Sequence, residues 1–491
     1  MPIRHAPVVV LFASLLPAAL SAAAEPLALD RQNPRYFVFR GQPTVLVGSG
    51  EHYGAILNPA FDYKRYLETL KRDGLNVTRL FVGTYLERQG DFGIAFNDLA
   101  PAPGTALLPW ARSSEPGFIL GGNKLDLSRW DEAYFARLRD FVQTADAAGV
   151  VVEVTLFSAY YGNRYSPFFA ANNVNGVGDV APSSMNTLEN GGALPFQEAV
   201  TRRIVRELNA YDNVYFEIQN EPWASDQLTV RVLNPYLDKS ELKQEGQFWK
   251  NRVDVASPAS LAWQRRVADW VVDEERRLPR RHLLSQDYTN FYHALADVDP
   301  RVAVLNFHYA SPEAVRLNAG LARAVAFNET GFAGGADATY RKQAWHFMIA
   351  GGGAFNHLDY SFAVGHEEGT AANTAPGGGS AALRRQLAVL RTVLANGHLQ
   401  SAEPDHGVVV HASNAITRAL SDGRNWFVIY FDGQGPATVT LRLSTGRYRA
   451  EWLDPTTGAI VRAETMRVDG ERAVLTSPAF DEDLALRLVT E

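Results

Sequence analysis

The strongest constraint on the fold is a regular alternation of two kinds of segment between residues 36 and 396. Short apolar runs, largely β-branched or aromatic, alternate with longer segments whose apolar residues recur at helical spacing. Uninterrupted apolar runs predict buried parallel strands, and helical spacing predicts the helices that connect them. Eight strands are predicted, at residues 44–47, 77–81, 150–156, 214–221, 282–285, 302–307, 324–329 and 353–358.

This alternation favours an α/β fold, a (β/α)8 TIM barrel, over a doubly wound sheet. A doubly wound sheet usually binds its ligand after a glycine-rich turn, and Gly48-Ser49-Gly50 lacks the required spacing. Polar residues end most of the predicted strands instead, and in a barrel these ends converge on one mouth. They are Glu51, His52, Arg79, Asn220, Glu221, Asp287, His308, Tyr309, Glu329, His357 and Asp359.

The C-terminal part of the chain has a different pattern, with short strands close together. From residue 402 onward, eight short β-type runs are separated by turn signals such as Asp422-Gly423, Asp432-Gly433 and Asp469-Gly470. This pattern predicts a small all-β sandwich domain at residues 401–491, after a barrel domain with an N-terminal hairpin at residues 25–400. The sandwich either only packs against the barrel or binds carbohydrate on its own.

The first 24 residues are predicted to be a secretory signal peptide. Arg4 and His5 precede an apolar run at residues 6–20, and the small residues at 21–24 suit cleavage. The alternative, a membrane anchor, is disfavoured because the run is short and contains Pro7 and Pro17. We expect a secreted or periplasmic protein, exported in the bacterial manner and not attached to a membrane.

Composition excludes several classes of function. The 491-residue chain has no cysteine, which excludes disulfides, thiol catalysis and cysteine-ligated metals. Its net charge is −7 with no basic stripe, so no nucleic-acid partner is expected. The histidine motifs typical of strand-borne or helix-borne zinc sites are missing, so no metal and no cofactor are predicted.

Two of the predicted strands end in a glutamate. One run ends in Asn220-Glu221-Pro222, where Pro222 stops the strand because it has no N–H for the ladder, and another ends in Glu329. Two strand-end carboxylates on one scaffold supply the acid and the nucleophile that retaining glycoside hydrolysis requires. Side-chain alternation also predicts a shared face for Tyr215, Glu217, Gln219 and Glu221.

The order of these motifs resembles the clan A glycoside hydrolases, and the cellulase-like barrels of family five in particular. The resemblance covers residues 36–396 and rests on Arg79, Asn220-Glu221-Pro222, His308-Tyr309 and Glu329. It implies Glu221 as the acid/base and Glu329 as the nucleophile. It also implies that Asn220 binds the sugar 2-hydroxyl and that Arg79 pairs with Glu329. His308 and Tyr309 would line the site.

Strand eight departs from the pattern of the clan, in which many members have a Trp that forms the floor of the site. This chain has Asn356-His357-Leu358-Asp359-Tyr360, and Tyr360 is the candidate for that platform. His52 and Trp223 are the remaining candidates for substrate binding. Burial of Glu221 near Trp223 is expected to raise the pKa of its carboxyl, as an acid requires.

Several of these assignments have a purely structural alternative. Arg79 would then form a buried ion pair with Glu153 or Glu217 that only stabilises the barrel. His308 would be an ordinary core histidine. His52 and the neighbouring Glu51 would be solvated loop residues.

The sequence therefore predicts a secreted glycoside hydrolase that cleaves a poly- or oligosaccharide by a retaining, two-glutamate mechanism. Long aromatic-rich loops at 82–130, 157–195 and 222–258 favour a pocket, and hence action on chain ends or small glycosides. One alternative is a non-catalytic, secreted carbohydrate-binding protein on a barrel scaffold. Another is a metal-dependent hydrolase that uses His308, His357, Asp359 and His366.

Overall fold

The computed structural model of the protein describes residues 25–225, 252–372 and 376–491, together with the backbone of residues 227–231. The predicted signal peptide lies outside the described residues. Two bodies of secondary structure follow each other along the chain, first a ring of parallel strands with helices and then two antiparallel sheets.

Eight parallel strands form the first body and confirm the predicted barrel. They lie in the sheet in the order β1-β8-β7-β6-β5-β4-β3-β2. From β2 to β8 each strand pairs with the next one in the chain, and β8 pairs with β1. The strands are β1 (Leu46–Gly50), β2 (Val77–Phe81), β3 (Val151–Thr155), β4 (Val214–Glu217), β5 (Leu284–Asn290), β6 (Val302–His308), β7 (Ala324–Glu329) and β8 (Ala354–Leu358).

The barrel closes between β1 and β2 at Asn76, whose backbone N–H donates to the carbonyl of Val47 at 3.1 Å and whose side chain makes two further hydrogen bonds. Asn76 Oδ1 accepts the N–H of Val47 at 2.8 Å, and Asn76 Nδ2 donates to the carbonyl of Val45 at 2.9 Å. The backbone of β1 approaches β2 closely at Gly48, where a Cβ would lie 2.6 Å from the carbonyl oxygen of Val77. The asparagine therefore replaces part of the regular ladder at this seam.

Seven α-helices surround the barrel in the described residues, and none of them is long and apolar enough to cross a bilayer. They are α1 (Tyr63–Arg72), α2 (Glu132–Ala148), α3 (Leu194–Leu208), α4 (Pro258–Glu275), α5 (Pro312–Asn318), α6 (Asp337–Ile349) and α7 (Ala381–Ala395).

The alternation of strands and helices fails once, because no helix separates β5 from β6. The connecting residues 291–301 end in a turn in which Asp299 accepts the N–H groups of Arg301 and Val302. Pro300 lies between Asp299 and Arg301, and because it has no N–H it cannot extend a helical hydrogen-bond ladder. The short helix α5 after β6 was not among the predicted helices.

The lower end of the barrel is filled by apolar side chains. Val77, Val151, Tyr215 and Val304 pack there with Phe37, which comes from a three-stranded sheet that precedes the barrel. That sheet contains Ala28–Leu29, Phe37–Phe39 and Gln42–Thr44, and it includes the predicted hairpin. Because this end is closed by apolar packing, only the opposite end, where the strands finish, is available for a site.

The second body is the predicted sandwich, made of two antiparallel sheets. One sheet has the order β9-β11-β12-β17-β14-β15, and the other has the order β10-β13-β16. All eight predicted strands are present, and the short β9 is additional. The strands are β9 (Glu403–Pro404), β10 (Val409–Ala412), β11 (Ala415–Ser421), β12 (Trp426–Gly433), β13 (Thr438–Arg442), β14 (Gly446–Leu453), β15 (Ile460–Val468), β16 (Arg472–Thr476) and β17 (Asp483–Thr490).

The sandwich packs against the outer face of α6. The ring of Trp345 stacks on that of Tyr430 with 5.2 Å between their centres. Arg341 makes a two-point ion pair with Asp483, at 2.8 and 2.9 Å, and Asp483 also accepts the hydroxyl of Tyr430. The sandwich therefore packs on the barrel, and whether it also binds carbohydrate stays a prediction.

Candidate active site

A cavity of about 470 Å³ opens at the ends of the barrel strands. Six of the predicted site residues line it, and they come from the ends of β1, β4, β6 and β7. They are His52, Asn220, Glu221, Trp223, Tyr309 and Glu329. The other three, Arg79, His308 and Tyr360, are buried and lie against these residues.

The position of Glu221 is set by a turn rather than by the strand. Strand β4 ends at Glu217, four residues earlier than predicted, and Glu221 adopts a left-handed conformation with φ 46° and ψ 52°. Pro222 disfavours the right-handed helical region for the residue before it, which leaves few other conformations for a tight turn. The predicted common face is therefore wrong for Gln219, which contacts Ser260 of α4.

The two glutamates are close together across the cavity. A carboxylate oxygen of Glu221 lies within 4.8 Å of one of Glu329. The hydroxyl of Tyr309 lies 3.1 Å from Oε1 of each glutamate, so it can donate to either of them. Two carboxylates at this distance repel each other unless nearby cations compensate their charge.

Glu221 is held by three donors. Its Oε1 accepts from His308 Nδ1 at 2.8 Å and from Tyr309, and its Oε2 accepts from the hydroxyl of Tyr161 at 2.8 Å. Burial alone would raise the pKa of the Glu221 carboxyl, but these hydrogen bonds and the charge of His308 hold it below its usual value. The expectation of a raised pKa for the Glu221 carboxyl is therefore wrong.

His308 is charged because it lies among carboxylates. Its Nε2 lies 3.0 Å from Asp287 Oδ2, and its Nδ1 faces Glu221 and Glu329. Burial would lower the pKa of the imidazole, but Asp287, Glu329 and Glu221 together raise it to about 9. The histidine is fully buried, yet its contact with Glu221 gives it more than the structural role of a core residue.

Asp287 reaches the same site from β5, a strand that ends five residues later than the visible apolar run. Its Oδ2 accepts the backbone N–H of Glu221 at 2.9 Å in addition to the ion pair with His308. One carboxylate therefore fixes both the left-handed turn that carries Glu221 and the imidazole that donates to it. The sequence places Asp287 at a strand end but gives no sign of these two contacts.

Arg79 performs both of the roles considered for it. Its Nη1 donates to Glu329 Oε2 at 3.0 Å, and its Nη2 donates to Asn220 Oδ1 at 3.0 Å. The same guanidinium pairs with Glu217 and lies 3.4 Å from Glu153 through Nε. The buried arginine thus orients two cavity residues and also neutralises carboxylates in the barrel interior.

Asn220 and Trp223 line the cavity on either side of Glu221. The Nδ2 of Asn220 lies 3.1 Å from the hydroxyl of Tyr161 and 3.3 Å from Ser158 Oγ. Trp223 meets His308 edge to face, with 5.6 Å between ring centres. Both residues lie next to the place that a ligand of Glu221 would occupy.

The end of β1 is buried rather than solvated. Glu51 accepts the N–H groups of Gly54 and Ala55, and only 1% of its surface is exposed. His52 lines the cavity and lies 3.0 Å from Glu87, a residue that the sequence analysis did not identify. The solvated alternative is wrong for both residues of this strand end.

Tyr360 does not line the cavity. Its ring lies behind His52, with 5.8 Å between ring centres, and the end of β8 contributes Leu358 to the cavity wall. Tyr360 therefore does not form the aromatic floor of the cavity that the clan pattern led us to expect.

The residues suggested for a metal-dependent hydrolase do not converge. His357 contacts Thr330, Asp359 pairs with Arg384 at 2.8 Å, and His366 is exposed. Two groups of metal-type ligands lie close together in the described residues, Glu217-Asp287-His308 and Glu221-His308-Glu329. Both depend on His308, whose two ring nitrogens already face Glu221 and Asp287.

Comparisons with known proteins agree with this architecture. No protein-family model matches the sequence, and no curated protein matches it. A glycoside hydrolase family 5 structure from Bacteroides vulgatus ATCC 8482 superposes with a TM-score of 0.60 and 11% identity, over 95% of this chain and 93% of that one. A structure described as a glycoside hydrolase superposes with a TM-score of 0.57 and 13% identity, over 95% and 97%.

At these identities the likeness shows a shared fold and nothing finer. It extends over nearly the whole of each chain, the C-terminal sandwich of this protein included. The predicted resemblance to family five in fold is confirmed.

Proposed function

We propose that this protein is a retaining glycoside hydrolase that cleaves O-glycosidic bonds of a poly- or oligosaccharide. The observation that carries the proposal is the separation of Glu221 and Glu329, whose nearest carboxylate oxygens lie within 4.8 Å. Retaining enzymes hold their two carboxyl groups about 5–5.5 Å apart, whereas inverting enzymes leave roughly 6.5–9.5 Å for a water molecule.

Glu329 has the surroundings of a nucleophile. Arg79 fixes its Oε2, and the Tyr309 hydroxyl reaches its Oε1. These contacts orient the carboxylate at the mouth of the barrel and compensate its charge. It would attack the anomeric carbon and form a glycosyl ester, while the leaving oxygen takes a proton from Glu221.

The lowered pKa of Glu221 suits the second half of such a reaction, in which it acts as a base toward water. In the first half it must deliver a proton, and His308 is the nearest source. The imidazolium Nδ1 donates to Glu221 Oε1 at 2.8 Å. The proton of His308 Nδ1 can therefore pass to Glu221 and from Glu221 to the leaving oxygen, which leaves His308 neutral and Glu221 ionised for the second half.

The walls of the cavity favour a small glycone or a chain end as substrate. Tyr85 and Phe92 come from the loop after β2, Tyr161 from the loop after β3, and Phe332 from the residues after β7. The rings of Phe92 and Tyr161 meet edge to face and close one side. We also propose that the protein acts outside the cytoplasm, after removal of residues 1–24.

The test is a panel of aryl glycosides offered to the mature protein and to three variants. Glu329→Ala is expected to abolish turnover, and azide should restore it with a glycosyl azide of inverted configuration. Glu221→Ala should lose activity mainly on substrates with poor leaving groups. Glu189→Ala, at an exposed position, is the control and should behave as the unmodified protein.

Two outcomes would contradict the proposal. Full activity of Glu221→Ala on every cleaved substrate would remove the assigned acid. Binding of sugars without any turnover would instead support a carbohydrate-binding protein on a barrel scaffold.

A further inference from the structure

The cavity wall next to β2 contains a third carboxylate that the proposed reaction does not use. Glu87 lines the cavity together with His52 and Tyr85, and only 4% of its surface is exposed. A carboxylate at the wall of a largely aromatic cavity requires donors, because an unpaired buried charge is costly.

Three donors surround Glu87. Its Oε2 accepts from His52 Nε2 at 3.0 Å and from Asn97 Nδ2, and its Oε1 accepts from the hydroxyl of Tyr85 at 3.0 Å. An ionised carboxylate has about four acceptor positions. With three taken by the protein, one acceptor position remains for a ligand, and the cavity is the side from which a ligand approaches.

The partner of Glu87 is itself firmly placed. The imidazole of His52 lies between the rings of Tyr53 and Tyr360, each 5.8 Å away between ring centres. Burial alone would lower the pKa of His52, but the charge of Glu87 and the more distant charge of Glu329 raise it. The Glu87–His52 pair is thus a fixed element of the wall on the same side as the nucleophile.

We propose that Glu87, supported by His52, forms a subsite that accepts a hydrogen bond from a hydroxyl of the sugar bonded to Glu329 during the reaction. The proposal rests on the proposed function and narrows its substrate to neutral, hydroxylated sugars. A uronic acid or a sulfated sugar would place a second negative charge beside the Glu87 carboxylate, which is the acceptor of the hydroxyl.

The alternative is that Glu87 only holds the loop after β2 in place. The two roles differ in what they do to specificity. A structural role affects all substrates equally, whereas a hydroxyl acceptor discriminates between a sugar and its deoxy analogue, since a polar group left unpaired by the analogue is costly.

The experiment measures both binding and hydrolysis. Sugars that differ at one position are compared: neutral sugars, their deoxy analogues and the corresponding uronic acids, as free sugars for binding and as aryl glycosides for turnover. The proteins are the unmodified chain, Glu87→Gln, Glu87→Asp and the control Glu115→Gln. The control replaces an exposed glutamate of the short strand Trp110–Pro116, which lies between β2 and α2 in the chain.

The unmodified protein is expected to favour one neutral sugar over its deoxy analogue by about 10- to 100-fold, in line with a hydrogen bond to a charged group. Glu87→Gln should reduce that ratio at least tenfold, mainly through the hydroxylated sugar, and should tolerate uronic acids better. Glu87→Asp keeps the negative charge and should still reject uronic acids. Glu115→Gln should change neither ratio.

The inference would be overturned if Glu87→Gln kept the preference of the unmodified protein for the hydroxylated sugar over its deoxy analogue. It would also be overturned if the unmodified protein accepted neutral and acidic sugars equally. No binding of any sugar would overturn it as well. Turnover with an unchanged ratio overturns the role of Glu87 and leaves the proposed hydrolase intact. The expected binding pattern without turnover refutes the hydrolase and leaves Glu87 only as an acceptor for a bound sugar.

Discussion

At the scale of single residues, the contacts of Asp287 determine how the proposed acid/base group is charged. The same oxygen accepts the backbone N–H of Glu221 and pairs with His308. Asparagine can accept the backbone bond but carries no charge. The substitution Asp287→Asn therefore separates the effect of Asp287 on the position of Glu221 from its effect on the charge of His308.

We expect Asp287→Asn to lower the pKa of His308 from about 9 by about 1–3 units, because an opposite charge nearby is removed. If the proton for the leaving group resides on the His308–Glu221 pair, the basic limb of the kcat/KM profile moves to lower pH by a similar amount. Kinetics between pH 4 and 10, with ring NMR of His308, measure both. A profile that keeps its basic limb would contradict the proton route.

The residues at strand ends could be predicted from the sequence, and the residues that control them could not. Glu221, Glu329 and Arg79 stand where an apolar run stops, which is a visible signal. Glu87 lies six positions beyond β2 in an irregular loop, so no periodicity marks it. The lowered pKa of Glu221 depends on how His308 is oriented, and only the three-dimensional structure shows this.

At the scale of elements, the seam between β1 and β2 is tightly packed. A Cβ at Gly48 would lie 2.5 Å from Asn356 Oδ1 and 2.6 Å from the carbonyl of Val77. Neither neighbour is the free end of a flexible side chain, since one is backbone and the other is buried.

Gly48→Ala is expected to lower the free energy of unfolding by about 1–3 kcal/mol, the usual cost of overpacking. Urea denaturation followed by tryptophan fluorescence gives the value. Gly470→Ala, where a Cβ meets no atom within 4 Å, should stay within about 0.5 kcal/mol. Equal effects at the two positions would show that the seam can relax.

Apolar periodicity identified every barrel strand but misjudged the lengths of two of them. β5 runs to Asn290 through polar residues that are all buried, because they face the site or pair with neighbours such as Val255. A polar strand of this kind cannot be told from a loop by composition. β4 ends early because the turn to Glu221 replaces its last residues.

At the scale of the whole molecule, stability depends on a proton shared by two buried carboxyl groups. Asp98 and Glu51 are both buried. Burial, the main cause, raises the pKa of Glu51 to about 7, and burial together with the charge of Glu51 raises the pKa of Asp98. A pKa raised on folding gives stability that is complete below the unfolded value and is lost as the pH rises through the folded value.

The melting temperature of the unmodified protein should therefore decrease as the pH rises from about 4.5 to about 7. The decrease over this pH range should be smaller in Asp98→Asn. The amide donates to Glu51 permanently, so no proton is required. Calorimetry across this range tests it, with the exposed Asp469→Asn as control. Parallel curves for the unmodified protein and Asp98→Asn would refute the shared proton.

The two-domain arrangement was predictable because each part has its own pattern, and the contact between the parts was not. Turn signals mark the sandwich strands in the sequence, whereas Trp345 looks like any other core residue of a helix.

Helix α6 serves two neighbours, since it follows the strand that ends in Glu329 and also holds the sandwich through Arg341 and Trp345. Exchange of the sandwich for one from another protein would leave Arg341 buried without Asp483, a loss that typically costs 3–5 kcal/mol. Recombination between relatives would therefore tend to keep this helix and its sandwich as one inherited unit, even where the loops around the cavity diverge.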